Sequence, residues 1–272
     1  MPLDRLIAYL RPLEGGVLVA CSGGLDSAVV AGSCVRAGLR TLAVTGVSPT
    51  TPPWDVADAR LVAGHLGLEH RLAETAEMSD PRFTANPPDR CYYCKDTLFT
   101  ALRAIASAEG YAHVADGSNA DDRADHRPGL RAARAHGVIS PLMEAGLTKA
   151  DARAAARALG LPVAEKPASP CLSSRFPYGV AITPEGLSRT ARAEAFLRSL
   201  GVTDVRVRDH HGVARIEAPV ALMDALYARR AEVSSHLLSL GYEAVCLDME
   251  GLLSGKLNRS LGLFPLEDNS GD

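Results

Sequence analysis

Four apolar runs of β-type residues, near 16–21, 41–47, 69–73 and 112–116, alternate with helix-compatible segments near 26–37, 54–66 and 95–108. A short continuous apolar run suits a strand buried on both faces, and strands separated by helices make crossover connections. The pattern therefore predicts a parallel sheet with helices on both faces. A further helix is signalled at 149–159: Thr148 can cap it, Asp151 lies in its first turn, and Gly160 with Pro162 ends it. The segment 165–179 carries Pro167, Pro170 and Pro177 and reads as a linker or site loop. Beyond it the rhythm changes. Thr183 and Pro184 open a helix to about Leu200, and β runs at 204–208 and Val213–Glu217 turn at His210-His211-Gly212. A helix over 219–240 and a strand over 243–248 follow. The expected organisation is an α/β domain over 1–167, a small C-terminal α+β domain over 168–262, and a flexible polar tail over 263–272. No internal repeat is visible.

Length and composition add modest bounds. At 272 residues and 47% hydrophobic, the chain can fill two cores. The formal net charge is −3 and no block of like charge stands out, so a strongly nucleic-acid-binding surface is not indicated. There is no basic-then-apolar N-terminal signal and no apolar run of about 18 residues, so neither export nor a membrane span is expected. The six cysteines, Cys21, Cys34, Cys91, Cys94, Cys171 and Cys246, do not make a disulfide framework in a chain of this size. A cytoplasmic setting with metal-binding or catalytic thiols is the expectation.

The densest chemistry lies at the first strand. Val17-Leu18-Val19-Ala20 gives way to Cys21-Ser22-Gly23-Gly24-Leu25-Asp26-Ser27, and a helical run begins. Strand, glycine turn and helix N-terminus together form an anion site: N–H groups without intrahelical partners point outward, and the dipole adds positive potential. The glycines let phosphate oxygens approach the backbone. A Walker-type loop is excluded, because no lysine follows the glycines.

Cysteines form the second constellation. Asn86-Pro87-Pro88-Asp89-Arg90-Cys91-Tyr92-Tyr93-Cys94-Lys95 places a C-x2-C pair on a loop entering a helix, and Cys171 lies in the Pro-rich loop. The C-x2-C spacing turns both sulfurs to one side. Three such cysteines favour a cubane iron–sulfur cluster with one open iron over a closed zinc site, while an inert or thioredoxin-like pair is the alternative. Cys21, Cys34 and Cys246 sit in apolar elements as packing residues.

Ser22-Gly23-Gly24-Leu25-Asp26-Ser27 resembles the SGGxDS signature of the PP-loop ATP pyrophosphatases. Further along are Asp116-Gly117-Ser118-Asn119-Ala120-Asp121-Asp122, continuing to Asp125 and Arg127, and Pro170-Cys171-Leu172-Ser173-Ser174-Arg175-Phe176-Pro177-Tyr178-Gly179. With the Cys91–Cys94 segment, this set resembles the LarE-type sulfur transferases over roughly residues 16–250. The last motif is the most specific.

The resemblance implies a substrate and a mechanism. LarE-type enzymes act on pyridinium-3,5-biscarboxylic acid mononucleotide on the way to the nickel-pincer cofactor of lactate racemase. ATP with magnesium adenylates a carboxylate, and a sulfur nucleophile displaces AMP to leave a thiocarboxylate. It carries ATP binding onto Ser22, Gly23, Gly24, Leu25, Asp26, Ser27, Gly117 and Asn119, and magnesium onto Asp26, Asp121 and Asp122. Asp26 and Cys171 are the expected catalytic residues. Members with only the Cys171-type cysteine sacrifice its sulfur. Members with three cysteines are thought to carry sulfide on a [4Fe–4S] cluster, here on Cys91, Cys94 and Cys171, with a sulfur- or cluster-delivery protein as the implied partner. Homo-oligomers are common in such enzymes, though no interface stripe is readable.

The substrate phosphate needs cations. Arg206 and Arg208, two apart on a predicted strand, face one side and can grip it, with Ser174 and Arg175 as further donors. A solvated strand face is the alternative for the arginines. Glu194 and Glu217 read as solvated helix or strand ends, with metal binding or a subunit contact as the alternative. His210 and His211 read as turn residues. Two rivals stand beside this reading: a PP-loop tRNA thiolase, against which the net charge argues, and a nucleotide sensor, which leaves the Cys171 loop unused.

Overall fold

The computed structural model describes residues 1–123, 128–253 and 255–262. Asp125, Arg127 and the expected tail over 263–272 lie outside the described residues. The chain divides into two compact units, Met1–Thr84 with Asp89–Pro170, and Ala85–Pro88 with the chain from Cys171 onward. The change of unit thus falls at Pro170, and the short segment Ala85–Pro88 belongs to the second unit, which the linear reading did not contain.

The first unit runs α1 (Pro2–Leu10), β1 (Val17–Ala20), α2 (Leu25–Arg36), β2 (Thr41–Val47), α3 (Pro53–Leu66), β3 (His70–Glu74), α4 (Pro81–Thr84), α5 (Arg90–Glu109), β4 (His113–Ala115), α6 (Pro128–Ala135), α7 (Pro141–Glu144) and α8 (Lys149–Ala158). The four strands form one parallel sheet in the order β3-β2-β1-β4. One core, with Val17, Val19, Val29 and Val62, covers one sheet face, and a second, with Leu18, Leu42, Phe99 and Val114, covers the other. Alternate residues of β1 thus enter opposite cores, which is why its four residues are apolar without interruption. Thr148 and Asp151 make a reciprocal capping box at the start of α8.

Helix α5 starts at Arg90, earlier than the spacing predicts. Asp89 stands at its N-cap position after Pro87-Pro88, so Cys91 and Cys94 lie in the helix rather than on a loop before it.

The second unit contains α9 (Pro184–Ser199), β5 (Arg206–His210), β6 (Val213–Glu217), α10 (Met223–Ala228), α11 (Arg230–Ser239) and β7 (Ala244–Leu247). Strands β5 and β6 are antiparallel, β7 adds parallel to β6, and the order is β5-β6-β7. The hairpin turns on His211 (φ 52°) and Gly212 (φ 88°), the positive-φ pair that a two-residue turn demands. The helix expected over 219–240 is instead a 3-10 turn followed by α10 and α11, broken at Arg229. Val207, Ala214, Ile216, Val233 and Leu237 pack the core of this unit. Cys246 is exposed rather than a packing residue, because β7 is an edge strand whose alternate side chains face solvent. Among the described residues, no helix is long and apolar enough to cross a membrane.

Candidate functional site

In the parallel sheet, β1 connects towards β2 and β3 on one side, and β4 lies on the other. The carboxyl ends of β1 and β4 therefore flank the topological switch point, where open α/β sheets bind ligands. The two loops that leave these ends carry the Ser22–Ser27 and Asp116–Asp122 motifs.

The first loop is tightly tied. The Ser22 N–H donates to Ser27 Oγ at 3.1 Å, and Ser27 Oγ donates to the Gly24 carbonyl at 3.1 Å. Gly23 has φ 70° and Gly24 is the N-cap of α2 at φ −91°, ψ 162°. A Cβ on Gly23 would run into the Asp55 carbonyl oxygen, so this glycine is required by space as well as by conformation. Ser22 is exposed, while Leu25 and Ser27 are buried.

The second loop is shaped by Asp116. Its carboxylate accepts from Ser118 N–H at 3.1 Å, Ser118 Oγ at 2.7 Å and Ser140 Oγ at 2.8 Å. Gly117 then lies so close to α2 that a Cβ there would sit 2.7 Å from Ser27 N and 3.1 Å from Asp26 Cβ. The two sequence motifs are therefore in backbone contact. Asn119 and Asp122 are buried; the Asn119 N–H donates to Asp122 Oδ2 at 2.9 Å, and Asn119 Oδ1 accepts from Asp121 N–H at 3.0 Å. The Asp122 carboxylate thus holds the turn that presents Asp121.

Two lysines absent from the sequence reading complete this site. Lys149, the first residue of α8, places Nζ 2.5 Å from Asp26 Oδ2, and its backbone N–H donates to Asp121 Oδ2 at 2.8 Å. Lys166 Nζ donates to the Gly23 carbonyl at 2.9 Å and pairs with Asp55 at 2.7 Å and Asp58 at 2.5 Å. The Thr-Lys and Glu-Lys-Pro settings carry a local signal only for a helix start and a loop.

The second unit organises the Cys171 loop. Cys171 precedes a 3-10 turn, Leu172–Arg175. The Arg175 and Glu194 side chains are fully buried and paired twice, Nε to Oε1 at 2.7 Å and Nη2 to Oε2 at 2.8 Å. Arg175 Nη1 also reaches the Cys171 carbonyl at 3.2 Å and Ser174 Oγ at 2.9 Å. Arg208 donates twice to Glu217 Oε2, at 2.9 and 2.7 Å, and to the Ser174 carbonyl at 2.6 Å. Arg206 and Arg208 share the strand face opposite the Val207 side chain, as their spacing requires, and both are buried. Burial, reinforced by the Arg175 charge, pulls the Arg206 guanidinium below its ordinary value. Glu194 and Glu217 are fully buried ion-pair partners, not solvated ends.

The sequence pattern assigns Asn86 no role, yet it is fully buried at φ 56°, and its Nδ2 donates to the carbonyls of Phe176, Pro177 and Val180 at 3.3, 2.7 and 2.9 Å. It fixes the loop that follows Cys171.

Cys91 is exposed, Cys94 and Cys171 are partly exposed, and all six cysteines are thiols rather than disulfides. Cys91 and Cys94, three residues apart on α5, share a helix face. Among the described residues, no three His, Cys, Asp or Glu side chains converge on one metal position.

No family model matches the chain. It is 45% identical over 262 residues to an uncharacterised protein of Synechocystis sp., covering 95% of this chain and 97% of that one. It is 38% identical over 262 residues to the pyridinium-3,5-bisthiocarboxylic acid mononucleotide synthase of Lactiplantibacillus plantarum, covering 94% and 93%. A tRNA-specific 2-thiouridylase of Azorhizobium caulinodans matches at 33% over 196 residues, 58% of this chain and half of that one. Among solved structures, the NMN synthetase of Francisella tularensis shares the fold, with a TM-score of 0.51 at 23% identity over 62% of this chain and 74% of that one. With the phosphate-type loop at the switch point and a match to the synthase that runs nearly end to end, the chain belongs to the LarE-type sulfurtransferases of the ATP-using PP-loop superfamily.

Proposed function

We propose that this enzyme converts carboxylates of pyridinium-3,5-biscarboxylic acid mononucleotide to thiocarboxylates, with cleavage of ATP, for the nickel-pincer cofactor of lactate racemase. The observation that carries the proposal is the 38% identity to the synthase along 94% of the chain. A free carboxylate is a poor electrophile. Its oxygen attacks the α-phosphorus of ATP, pyrophosphate leaves, and the acyl adenylate forms. A hydrosulfide-type sulfur then adds to the acyl carbon and AMP departs with the electron pair of the C–O bond.

In this reading the loop Ser22–Ser27 holds the pyrophosphate portion of ATP through backbone N–H groups and hydroxyls. Gly117 and Asn119 complete the nucleotide site. Asp26 and Asp121 present carboxylate oxygens to the same lysine, and hard oxygen donors of this kind suit Mg2+. Asp122 shapes the turn that presents Asp121. Bound Mg2+ would offset charge on the phosphates. Ser174, Arg206 and Arg208 are the proposed phosphate-binding group for the mononucleotide, and Arg175 supports them by holding the Cys171 turn.

For the sulfur we favour a [4Fe–4S] cluster on Cys91, Cys94 and Cys171. Three soft thiolates are a donor set that leaves one iron open, and such a cluster would supply a replaceable sulfide. The alternative is Cys171 itself as sacrificial donor. Intact mass after anaerobic reaction with ATP, magnesium and the biscarboxylic mononucleotide separates them. An unchanged polypeptide alongside thiolated product supports the cluster. Loss of one hydrogen sulfide from the protein assigns the sulfur to Cys171. Pyrophosphate release without the mononucleotide, or only with RNA, would overturn the substrate assignment. A cytoplasmic, homo-oligomeric enzyme served by a sulfur- or cluster-delivery protein completes the proposal.

A further inference from the structure

An ammonium has three N–H donors. Lys166 donates two hydrogen bonds, to the Gly23 carbonyl at 2.9 Å and to Asp55 Oδ1 at 2.7 Å, and Asp58 Oδ2 lies against the ammonium as an ion-pair partner at 2.5 Å. The other Asp55 oxygen accepts from Ser169 Oγ at 2.9 Å. The Lys166 side chain is only 14% exposed, and that of Asp55 only 7%. Lys166 therefore cannot reach a phosphate without leaving its partners. Lys149, 39% exposed and paired with Asp26, is not so confined.

The Gly23 carbonyl belongs to the peptide that also carries the Gly24 N–H. In a planar trans peptide these two groups point in opposite directions. Holding the carbonyl on the Lys166 side turns the Gly24 N–H away from Lys166. At Gly23, φ 70° allows this orientation, and the Asp55 carbonyl packed against Gly23 leaves no room for a side chain. Asp55 thus acts twice, through its backbone against Gly23 and through its carboxylate on Lys166.

We propose that Lys166, held by Asp55 and Asp58, is a positioning residue that fixes the Gly23–Gly24 peptide with its N–H turned to the pyrophosphate portion of ATP. The inference rests on the proposed ATP-binding role of the Ser22–Ser27 loop. With the carbonyl released, the peptide can rotate and present oxygen, not N–H, to an anion. One charge-assisted hydrogen bond is lost, which weakens binding about tenfold to a hundredfold.

The test measures binding of magnesium pyrophosphate, α,β-methylene-ATP and AMP by calorimetry to the full chain and to Lys166→Met, Lys166→Arg and Asp58→Asn. Lys166→Met should weaken pyrophosphate and the ATP analogue at least tenfold and leave AMP within about twofold, a pattern that general loosening would not give. Lys166→Arg, which can still bond a carbonyl and a carboxylate, should recover most of the loss. Equal affinities for pyrophosphate in Lys166→Met and the natural protein overturn the inference while leaving the ATP site intact. A folded natural protein that binds neither pyrophosphate nor the analogue overturns the ATP-site reading itself. If Lys166→Met does not fold, Asp58→Asn decides: about threefold weaker pyrophosphate binding with unchanged AMP supports the positioning role, and no change overturns it.

Discussion

Replacing Glu194 by Leu would leave the Arg175 guanidinium buried without its counter-charge. Both side chains are fully buried, and two hydrogen bonds of 2.7 and 2.8 Å join them. Removing one member of such a pair costs about 3–5 kcal/mol, because the remaining charge keeps its desolvation penalty. Glu194 Oε1 also accepts from the Val207 N–H at 2.9 Å, and orphaning that donor adds about 1–3 kcal/mol. The single variant should therefore lose roughly 4–8 kcal/mol, which is a large part of a typical total of about 5–15 kcal/mol. The double variant Arg175→Met/Glu194→Leu removes both charges and leaves chiefly the Val207 N–H unpaired, since the Cys171 carbonyl still accepts from Ser174 N–H at 3.1 Å and Ser174 Oγ at 2.9 Å. It should be more stable than Glu194→Leu by about 2 kcal/mol or more. Urea unfolding is the assay, since guanidinium salt would screen the charges, and the transition is fitted for each unit where two appear. A loss below about 1 kcal/mol in the single variant, or a double variant no more stable than the single, refutes the reasoning.

Three further outcomes are expected. Gly117→Ala should reduce ATP-dependent AMP formation at least tenfold with overpacking of about 1–3 kcal/mol, because its Cβ would sit 2.7 Å from Ser27 N; unchanged AMP formation in a steady-state assay would show that the two loops are free to separate. Asn86→Ala removes an amide donating to three carbonyls and should lower stability by about 1–3 kcal/mol in urea unfolding, with Asn86→Asp no better, because a carboxylate cannot donate. Burial, and next the Arg60 charge, holds the His70 imidazole below its ordinary value, so the unfolded chain takes up the proton first and stability falls as pH drops below about 6.5. His70→Gln should flatten that part of a melting-temperature profile against pH.

What the sequence disclosed is what a short window can encode. The apolar run of β1, the glycines that end it and the start of α2 lie within a few residues of one another, and so do the Thr148–Asp151 capping box and the His211–Gly212 turn. Pairings between distant residues leave no such trace. Glu194 has the local setting of an exposed helical acid, and only the approach of Arg175 from nineteen positions away makes it a buried partner. Cys246 sits in an apolar run, but its strand lies at a sheet edge, and strand order is not a local property. The two lysines make the distinction sharpest. Lys149 and Lys166 are the same residue type near the same loop, and nothing in their flanking residues ranks them. Their difference lies in the acceptors that the fold gathers: one carboxylate at Lys149 against two carboxylates and a carbonyl at Lys166. An ammonium with one partner can exchange it for a phosphate, whereas one enclosed by two carboxylates and a carbonyl holds its neighbours in place. The division between a ligand-facing and a positioning lysine is therefore a matter of three-dimensional acceptor count.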